Sequence, residues 1–207
     1  FVGRQDIFTR IDAVWSAKPN PDSIILYGHR RMGKSSILRN LAEIRPDSLI
    51  VYADLAGETS FVESTADLLL NLADRIYAAV RDYWPGAALT EPQVARYDTP
   101  AHAQREFSRL TAQVRPLLAG ETLILALDEF EAVEQAVAAG KIGPEIYQFL
   151  RSKTQEPWVT LLFGGLHTLD EMSRDYQQPF YGSYENIKVS YLSRDVAYHL
   201  ITNPTED

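Results

Sequence analysis

Ser23-Ile24-Ile25-Leu26-Tyr27-Gly28-His29-Arg30-Arg31-Met32-Gly33-Lys34-Ser35-Ser36 is the stretch on which the reading of this chain turns. Its second half carries the spacing G-x-x-x-x-G-K-S, that of a loop that wraps phosphate with its own backbone. Gly28 and Gly33 allow the tight turn and bring N–H groups up against phosphate oxygens. Lys34 is long enough to reach the β- and γ-phosphates, and the Ser35 hydroxyl suits Mg²⁺. His29, Arg30, Arg31 and Met32 fill the loop, and Ser36 follows it. The flanks agree. Ile24 to Tyr27 is an apolar, β-rich run and reads as a buried strand. Residues 36–43 have helical spacing, with Ile37, Leu38 and Leu41 on one face. A helix therefore starts under the loop, and the partial positive charge of its N-terminus favours phosphate there.

Working outward, residues 6–15 read as an amphipathic helix with Ile7, Ile11, Val14 and Trp15 inward. Pro19-Asn20-Pro21-Asp22 breaks it. Downstream, 48–55 reads as a second strand and 61–83 as one long helix. The stripe Leu68, Leu69, Leu72, Ile76 and Val80 on that helix is a packing face. Residues 84–100 hold three prolines and read as a loop. Residues 102–118 are helical, 121–128 a third strand, and a helix pair runs to Arg151 with an interruption near 140–144. A fourth strand spans 158–163 and ends at Gly164-Gly165, a fifth spans 187–191, and a short helix spans 194–202 before Pro204. Strands that are continuous apolar runs, alternating with helices, predict an α/β fold with a parallel sheet covered on both faces. Ligands of such sheets sit at the carboxyl ends of the strands. The loop, Asp128 and Gly164 all fall there.

Leu123-Ile124-Leu125-Ala126-Leu127-Asp128-Glu129 buries a strand body and presents acids at its tip. Asp128 is placed to orient Mg²⁺ opposite Ser35. Glu129 is placed to polarise an attacking water as general base. The plainer alternative is a strand end followed by an acidic helix start, which the helix dipole favours anyway. A phosphate loop upstream favours the functional reading. The pair points to nucleotide hydrolysis over small-molecule phosphorylation, because a kinase has no use for a water-polarising Glu. Asp54, at the tip of the second strand, reads as a turn residue before Ala56-Gly57.

The chain of 207 residues is 45% hydrophobic and 23% charged, enough to bury a core, and its net charge of −8 argues against a generic nucleic-acid coat or membrane-surface binder. It has no cysteine, which excludes disulfides, a thiol nucleophile and cysteine metal ligands. No apolar run approaches the roughly 20 residues of a membrane span, and no signal peptide is visible. These features are compatible with the cytoplasm. The start at Phe1 and the stop just after a helix-like segment read as a piece of a longer protein.

Phe1-Val2-Gly3-Arg4 before a helix, then Y-G-x-R-R-x-G-K-S-S-I-L over 27–38, then a strand ending Asp-Glu, resembles the STAND and Orc/Cdc6-like AAA+ ATPases. The stretch from Val189 to Pro204 resembles the start of their helical lid. The resemblance runs from Phe1 to Pro204. It implies a P-loop NTPase three-layer sandwich with a five-stranded, mainly parallel sheet of the ASCE/AAA+ type. It implies an ATPase core over 1–191 and the beginning of a lid over 192–207. It implies that Phe1, Val2, Gly3 and Arg4 lie beside the adenine, and that residues 28–36 hold the phosphates of ATP or ADP. It also implies that Lys34 and Glu129 are catalytic, that Ser35 and Asp128 are the Mg²⁺ ligands, and that Asp128 and Glu129 are the Walker B acids. The family has Asn, Thr or Ser at the end of the fourth strand, the sensor 1 position. This chain has Phe163-Gly164-Gly165, followed by His167 and Thr168. His167 and Thr168 are the candidates to substitute there; the favoured reading of His167 is a surface loop residue or a helix cap beside Thr168. Nucleotide binding and hydrolysis rate are therefore separate expectations.

Arg30 and Arg31 suit phosphate neutralisation, a neighbouring subunit or ion pairs with acids of this domain. No arginine finger is assigned; Arg151 and Arg174 are the available candidates. The function expected is an ATP-binding and ATP-hydrolysing switch domain of a STAND-type signalling or defence ATPase. Its partners would be the nucleotide, other domains of the parent chain and a nucleotide-dependent homo-oligomer. The alternatives are an Orc/Cdc6-like or transposition-helper ATPase acting on DNA, and a scaffold that holds nucleotide without turning it over.

Overall fold

In the computed structural model, which describes residues 3–17, 22–165 and 184–202 except for the Phe61 side chain, five strands form one sheet. They are β1 (Ser23–Tyr27), β2 (Leu49–Asp54), β3 (Leu123–Asp128), β4 (Val159–Gly165) and β5 (Tyr184–Lys188), in the order β2-β3-β4-β1-β5. Every pairing is parallel. β3 and β4 are buried at each position, as expected of inner strands covered on both faces.

Side chains alternate across the pleat, and the two faces collect two separate cores. Leu123, Leu125 and Leu127 face one, with Leu161, Phe163 and Ile25. That side is closed by α4 (Thr65–Tyr83), α5 (Pro100–Val114), α6 (Glu131–Ala138) and α7 (Glu145–Lys153). Ile124, Ala126, Leu162, Ile24 and Leu26 face the other, closed by α1 (Gln5–Ser16) and α2 (Lys34–Arg39). The result is the three-layer α/β sandwich expected, with a sheet that is wholly rather than mainly parallel.

Three local expectations need correction. The helix expected over 61–83 is two helices, α3 (Leu55–Phe61) and α4. Ser64 restarts the chain: its Oγ accepts from the Asp67 N–H at 3.1 Å, and Asp67 Oδ2 accepts from the Glu63 N–H at 3.1 Å. That reciprocal cap satisfies N–H groups that a continuous helix would have bonded internally. The helix expected to run unbroken over 36–43 stops at Arg39 and resumes as one tight turn over Leu41–Glu43. The fifth strand lies at Tyr184–Lys188, not at 187–191. Its register is set by β1, Ser23 opposite Tyr184 and Tyr27 opposite Lys188. It is an edge strand in which only Ile187 is fully buried, so no apolar run marks it.

The last helix, α8 (Arg194–Thr202), lies over the N-terminal segment. A Cβ at Gly3 would come 2.6 Å from Val196 Cγ1 and 3.4 Å from Leu192 Cδ2. Among the described residues no helix is long and apolar enough to cross a membrane.

Candidate functional site

The loop over 28–33 leaves the end of β1 and delivers the chain to α2. Gly33 has φ 84° and occupies the N-cap of α2, a left-handed conformation that glycine adopts without a Cβ clash. Gly28 is required by close approach, because a Cβ there would collide with the Val189 carbonyl oxygen. Arg31 is also left-handed, at φ 64°. No side chain caps α2 among the described residues, so the helix start carries no side-chain partner for its first N–H groups.

Lys34 is buried, and its Nζ donates to the carbonyl oxygens of Gly28 at 3.0 Å and His29 at 3.1 Å. The ammonium is thus folded over the concave side of the loop. Ser35 is half-buried and Ser36 exposed. Arg4 is buried and its Nη2 donates to the Met32 carbonyl at 2.6 Å. Burial lowers the Arg4 pKa from its ordinary value. This tie pins the N-terminal segment to the loop.

Arg4, Arg30, Arg31, Met32, Gly33 and Ser36 form one wall of an open cleft of about 490 Å³, and Tyr191, Leu192 and Ala197 the other. Arg30 and Arg31 are exposed on its rim. Arg4 therefore lies at the loop, whereas Gly3 lies against Val196 and Leu192. Phe1, Val2, His167, Thr168 and Arg174 lie outside the described residues. Arg151 is exposed in the last turn of α7.

The acids are built differently. Asp128, at the tip of β3, is 2% exposed. Its Oδ1 accepts from the Glu129 N–H at 3.0 Å and its Oδ2 from the Tyr52 hydroxyl at 3.0 Å. Each carboxylate oxygen keeps a second acceptor site. The carboxylate also fills the space above Gly164, where an added Cβ would stand 2.7 Å from Asp128 Oδ1 and 2.7 Å from Leu38 Cδ1. A side chain at Gly164 would therefore have to displace the acid or the Leu38 tip.

Glu129 follows with φ 52°, an uncommon conformation for a residue other than glycine, asparagine or aspartate. Its neighbour Phe130 imposes it. The Phe130 N–H donates to the Gly164 carbonyl at 3.0 Å, and its buried ring packs edge-on against Phe163 with centroids 4.7 Å apart. Burial, then the facing carboxyl of Glu131, then the charge of Asp128 raise the Glu129 pKa above the ordinary carboxylate value, while the charge of Lys34 pulls it down. Glu131 is itself buried, and neither carboxylate oxygen receives a hydrogen bond from another described group.

Tyr52, Arg39 and Glu131 join the site without having been expected there. Tyr52 and Asp54 are two apart on β2 and so share a face, a signal present in the sequence. Asp54, as expected, does turn work: its Oδ1 accepts from the N–H groups of Ala56 at 3.1 Å and Gly57 at 3.4 Å, capping α3. Among the described residues no group of three or more His, Asp or Glu is placed to hold a metal alone. Ser35, in the first turn of α2, and Asp128, at the tip of β3, each carry a hard oxygen donor. That set suits Mg²⁺, which normally takes one or two protein ligands and completes its shell with phosphate and water.

Residues 1–140 match the family model described as the AAA ATPase domain. No curated protein matches the chain. Among solved structures, a Walker-type ATPase of Pyrococcus abyssi aligns with TM-score 0.70 at 18% identity, over 98% of this chain and 57% of that one. The Orc2 protein of Aeropyrum pernix, solved as ADPNP–ADP complexes, aligns with TM-score 0.65 at 14% identity, over 98% of this chain and 52% of that one. The Orc1 protein of Aeropyrum pernix in complex with DNA aligns with TM-score 0.59 at 16% identity, over 100% of this chain and 50% of that one. The chain thus spans 50–57% of the length of these structures, and at such identities the likeness is one of fold.

Proposed function

Because the chain belongs to the AAA ATPase domain family, we propose that residues 1–191 bind ATP and hydrolyse it to ADP and phosphate, and that 192–207 open a helical lid over the nucleotide. The observation that carries this reading is the meeting of loop and acids. Leu38 of the loop helix and the Asp128 carboxylate both close on Gly164, each 2.7 Å from where its Cβ would stand, with Lys34 bonded to the Gly28 and His29 carbonyls and Glu129 held at φ 52° after Asp128.

The loop N–H groups of residues 28–36 bind the phosphates, and Lys34 neutralises their charge. Ser35 and Asp128 hold Mg²⁺, which when bound neutralises phosphate oxygens and fixes their orientation. Glu129 orients the attacking water and accepts its proton at a carboxylate oxygen. Val2, Gly3 and Arg4 are assigned to the base by their place in the sequence, and Arg4 lines the cleft with Tyr191 and Leu192. Contact between α8 and Gly3 gives the nucleotide state a lever on the lid, which suits a switch that changes conformation or self-assembles. The parent protein in this reading is a STAND-type signalling or defence ATPase of the cytoplasm.

A second reading, an ATPase acting on DNA, is favoured by the likeness to the Orc1 structure solved with DNA. The net charge of −8 weighs against DNA binding by this span itself, so the contact would lie elsewhere in the parent.

The test is light scattering on the longer protein with ADP and with a slowly hydrolysed ATP analogue, beside fluorescent-ADP titration of K34A. Two charge-assisted hydrogen bonds at about 1.5 kcal/mol each correspond to roughly a 100-fold loss of affinity. Nucleotide-dependent assembly, with that loss in K34A, supports the switch. An unchanged monomer that holds ADP without turnover supports the scaffold, and unaltered affinity in K34A removes the loop assignment.

A further inference from the structure

Asp128 is held by a residue to which neither the family match nor the motif draws attention. We propose that Tyr52 is a positioning residue for Asp128, its hydroxyl proton aimed at the carboxylate by Arg39. The inference rests on the reading of Asp128 as a ligand, direct or through water, of a nucleotide-bound Mg²⁺.

The geometry is a chain of two hydrogen bonds across three elements. Arg39, in the last turn of α2, donates from Nη2 to the Tyr52 hydroxyl at 3.2 Å, and its guanidinium carbon lies 4.8 Å from the Tyr52 ring centroid. Tyr52, on β2, donates to Asp128 Oδ2 at 3.0 Å. A phenol has one proton. With Arg39 supplying the bond that the hydroxyl oxygen accepts, the proton is left to point at Asp128. The Glu129 N–H holds Oδ1 at 3.0 Å. The carboxylate is therefore held on both oxygens, and each oxygen has room for one more bond.

Three features argue against Tyr52 as simple packing. Its ring is only half-buried at the margin of the core under α1 and α2, so a phenylalanine would fill the same space. The hydroxyl reaches a group that is 2% exposed, where an unmatched acceptor is costly. Arg39 is solvent-exposed, yet it is stacked on the ring and bonded to the hydroxyl, the geometry of an arginine that orients a partner. Partners of this kind, one bond removed from a metal, typically alter metal affinity or activity by 10- to 100-fold when removed.

The experiment uses Y52F and R39M. Three quantities are read: Mn²⁺ affinity of the ADP complex by electron paramagnetic resonance, fluorescent-ADP affinity in EDTA, and thermal stability. Both variants are expected to bind Mn²⁺ more weakly, Y52F by about 10-fold and R39M by less. ADP affinity in EDTA is expected to stay within about twofold of the unaltered protein. Mn²⁺ affinity unchanged in both variants overturns the proposal, as does a Y52F that loses affinity equally with and without metal. R39M, altered only at the surface, carries the test if Y52F unfolds. If the unaltered protein binds ADP equally with and without Mg²⁺, the Mg²⁺-nucleotide reading falls and takes this inference with it.

Discussion

Residues 28–33 present an exposed rim of arginines at the start of α2, whereas residues 128–131 present carboxylates: Asp128 buried at the tip of β3, Glu129 half-buried after it and Glu131 buried at the start of α6. The loop needs little from elsewhere: Gly33 supplies its turn and Lys34 reaches back only five or six residues, with the Val189 carbonyl and Arg4 closing in on it. The acid corner needs the whole fold. Tyr52 arrives from 76 residues away, Gly164 makes room, and Phe130 locks the turn against Phe163. In the proposed function, phosphate is gripped by a segment built mostly from its own residues, and the chemistry is poised by long-range contacts. Perturbing the corner should therefore separate hydrolysis from binding, and the strength of that separation measures the contrast.

The largest effect is expected at Glu129. A general base contributes roughly 100- to 10,000-fold, so E129Q should lose that much hydrolysis while binding ATP normally. Steady-state phosphate release beside nucleotide titration checks it, and an unaltered rate removes Glu129 from the base role. The pH profile gives the sign independently. The Glu129 pKa lies above its ordinary value, first through burial, then through Glu131 and Asp128. The base must be ionised, so the rate should fall on the acid side through a limb above the usual carboxylate range, and E129Q should lack that limb. Stability runs the other way. A carboxyl whose folded pKa is raised contributes stability that is full below its unfolded pKa and is lost as pH rises through the folded one. Nucleotide-free E129Q at neutral pH should accordingly melt no lower than the unaltered protein.

The same contrast explains what could be read from the sequence. Gly28, Gly33, Lys34 and Ser35 are legible because their roles follow from spacing within eight residues, between an apolar strand and a helix. Asp128 and Glu129 are legible only at the tip of β3. What holds them is not, because Tyr52 and Gly164 meet Asp128 through strand order β2-β3-β4, which no local pattern encodes. The inner strands announce themselves by continuous apolar runs. Edge strand β5 does not: Glu185 and Lys188 are exposed, so the expected position slid toward Tyr191. The break between α3 and α4 was readable at Ser64-x-x-Asp67, where the capping pattern was outweighed by the leucine stripe beyond it.

Gly164 sharpens the contrast at intermediate size. An alanine there places a Cβ 2.7 Å from both Asp128 Oδ1 and Leu38 Cδ1, and overpacking of this kind costs about 1–3 kcal/mol. G164A should melt roughly 2–4 °C lower for each of those kcal/mol, and its Mg²⁺ requirement should rise because Asp128 must move. Gly86, where nothing lies within 4 Å of an added Cβ, is the control, and G86A should melt with the unaltered protein. A G164A that melts with G86A would mean that Asp128 is not confined there and that the corner is looser than its contacts indicate.

The smallest effect separates two aspartates that the sheet places side by side. Asp54 and Asp128 are register partners at the tips of β2 and β3, yet only Asp128 is sealed in the acid corner. Asp54 is half-buried and spends Oδ1 on the Ala56 and Gly57 N–H groups that open α3. Losing an aspartate cap to alanine typically costs about 1 kcal/mol. D54A should therefore show a melting temperature only a few degrees lower, with Mg²⁺-dependent nucleotide affinity and hydrolysis unchanged. Aspartate and asparagine are near-equal as caps, so D54N should recover most of the lost stability. If D54A instead loses hydrolysis while D54N does not restore it, the charge at Asp54 acts on the nucleotide. The acid corner would then extend across two strand tips, and the division between a structural and a chemical aspartate would be wrong.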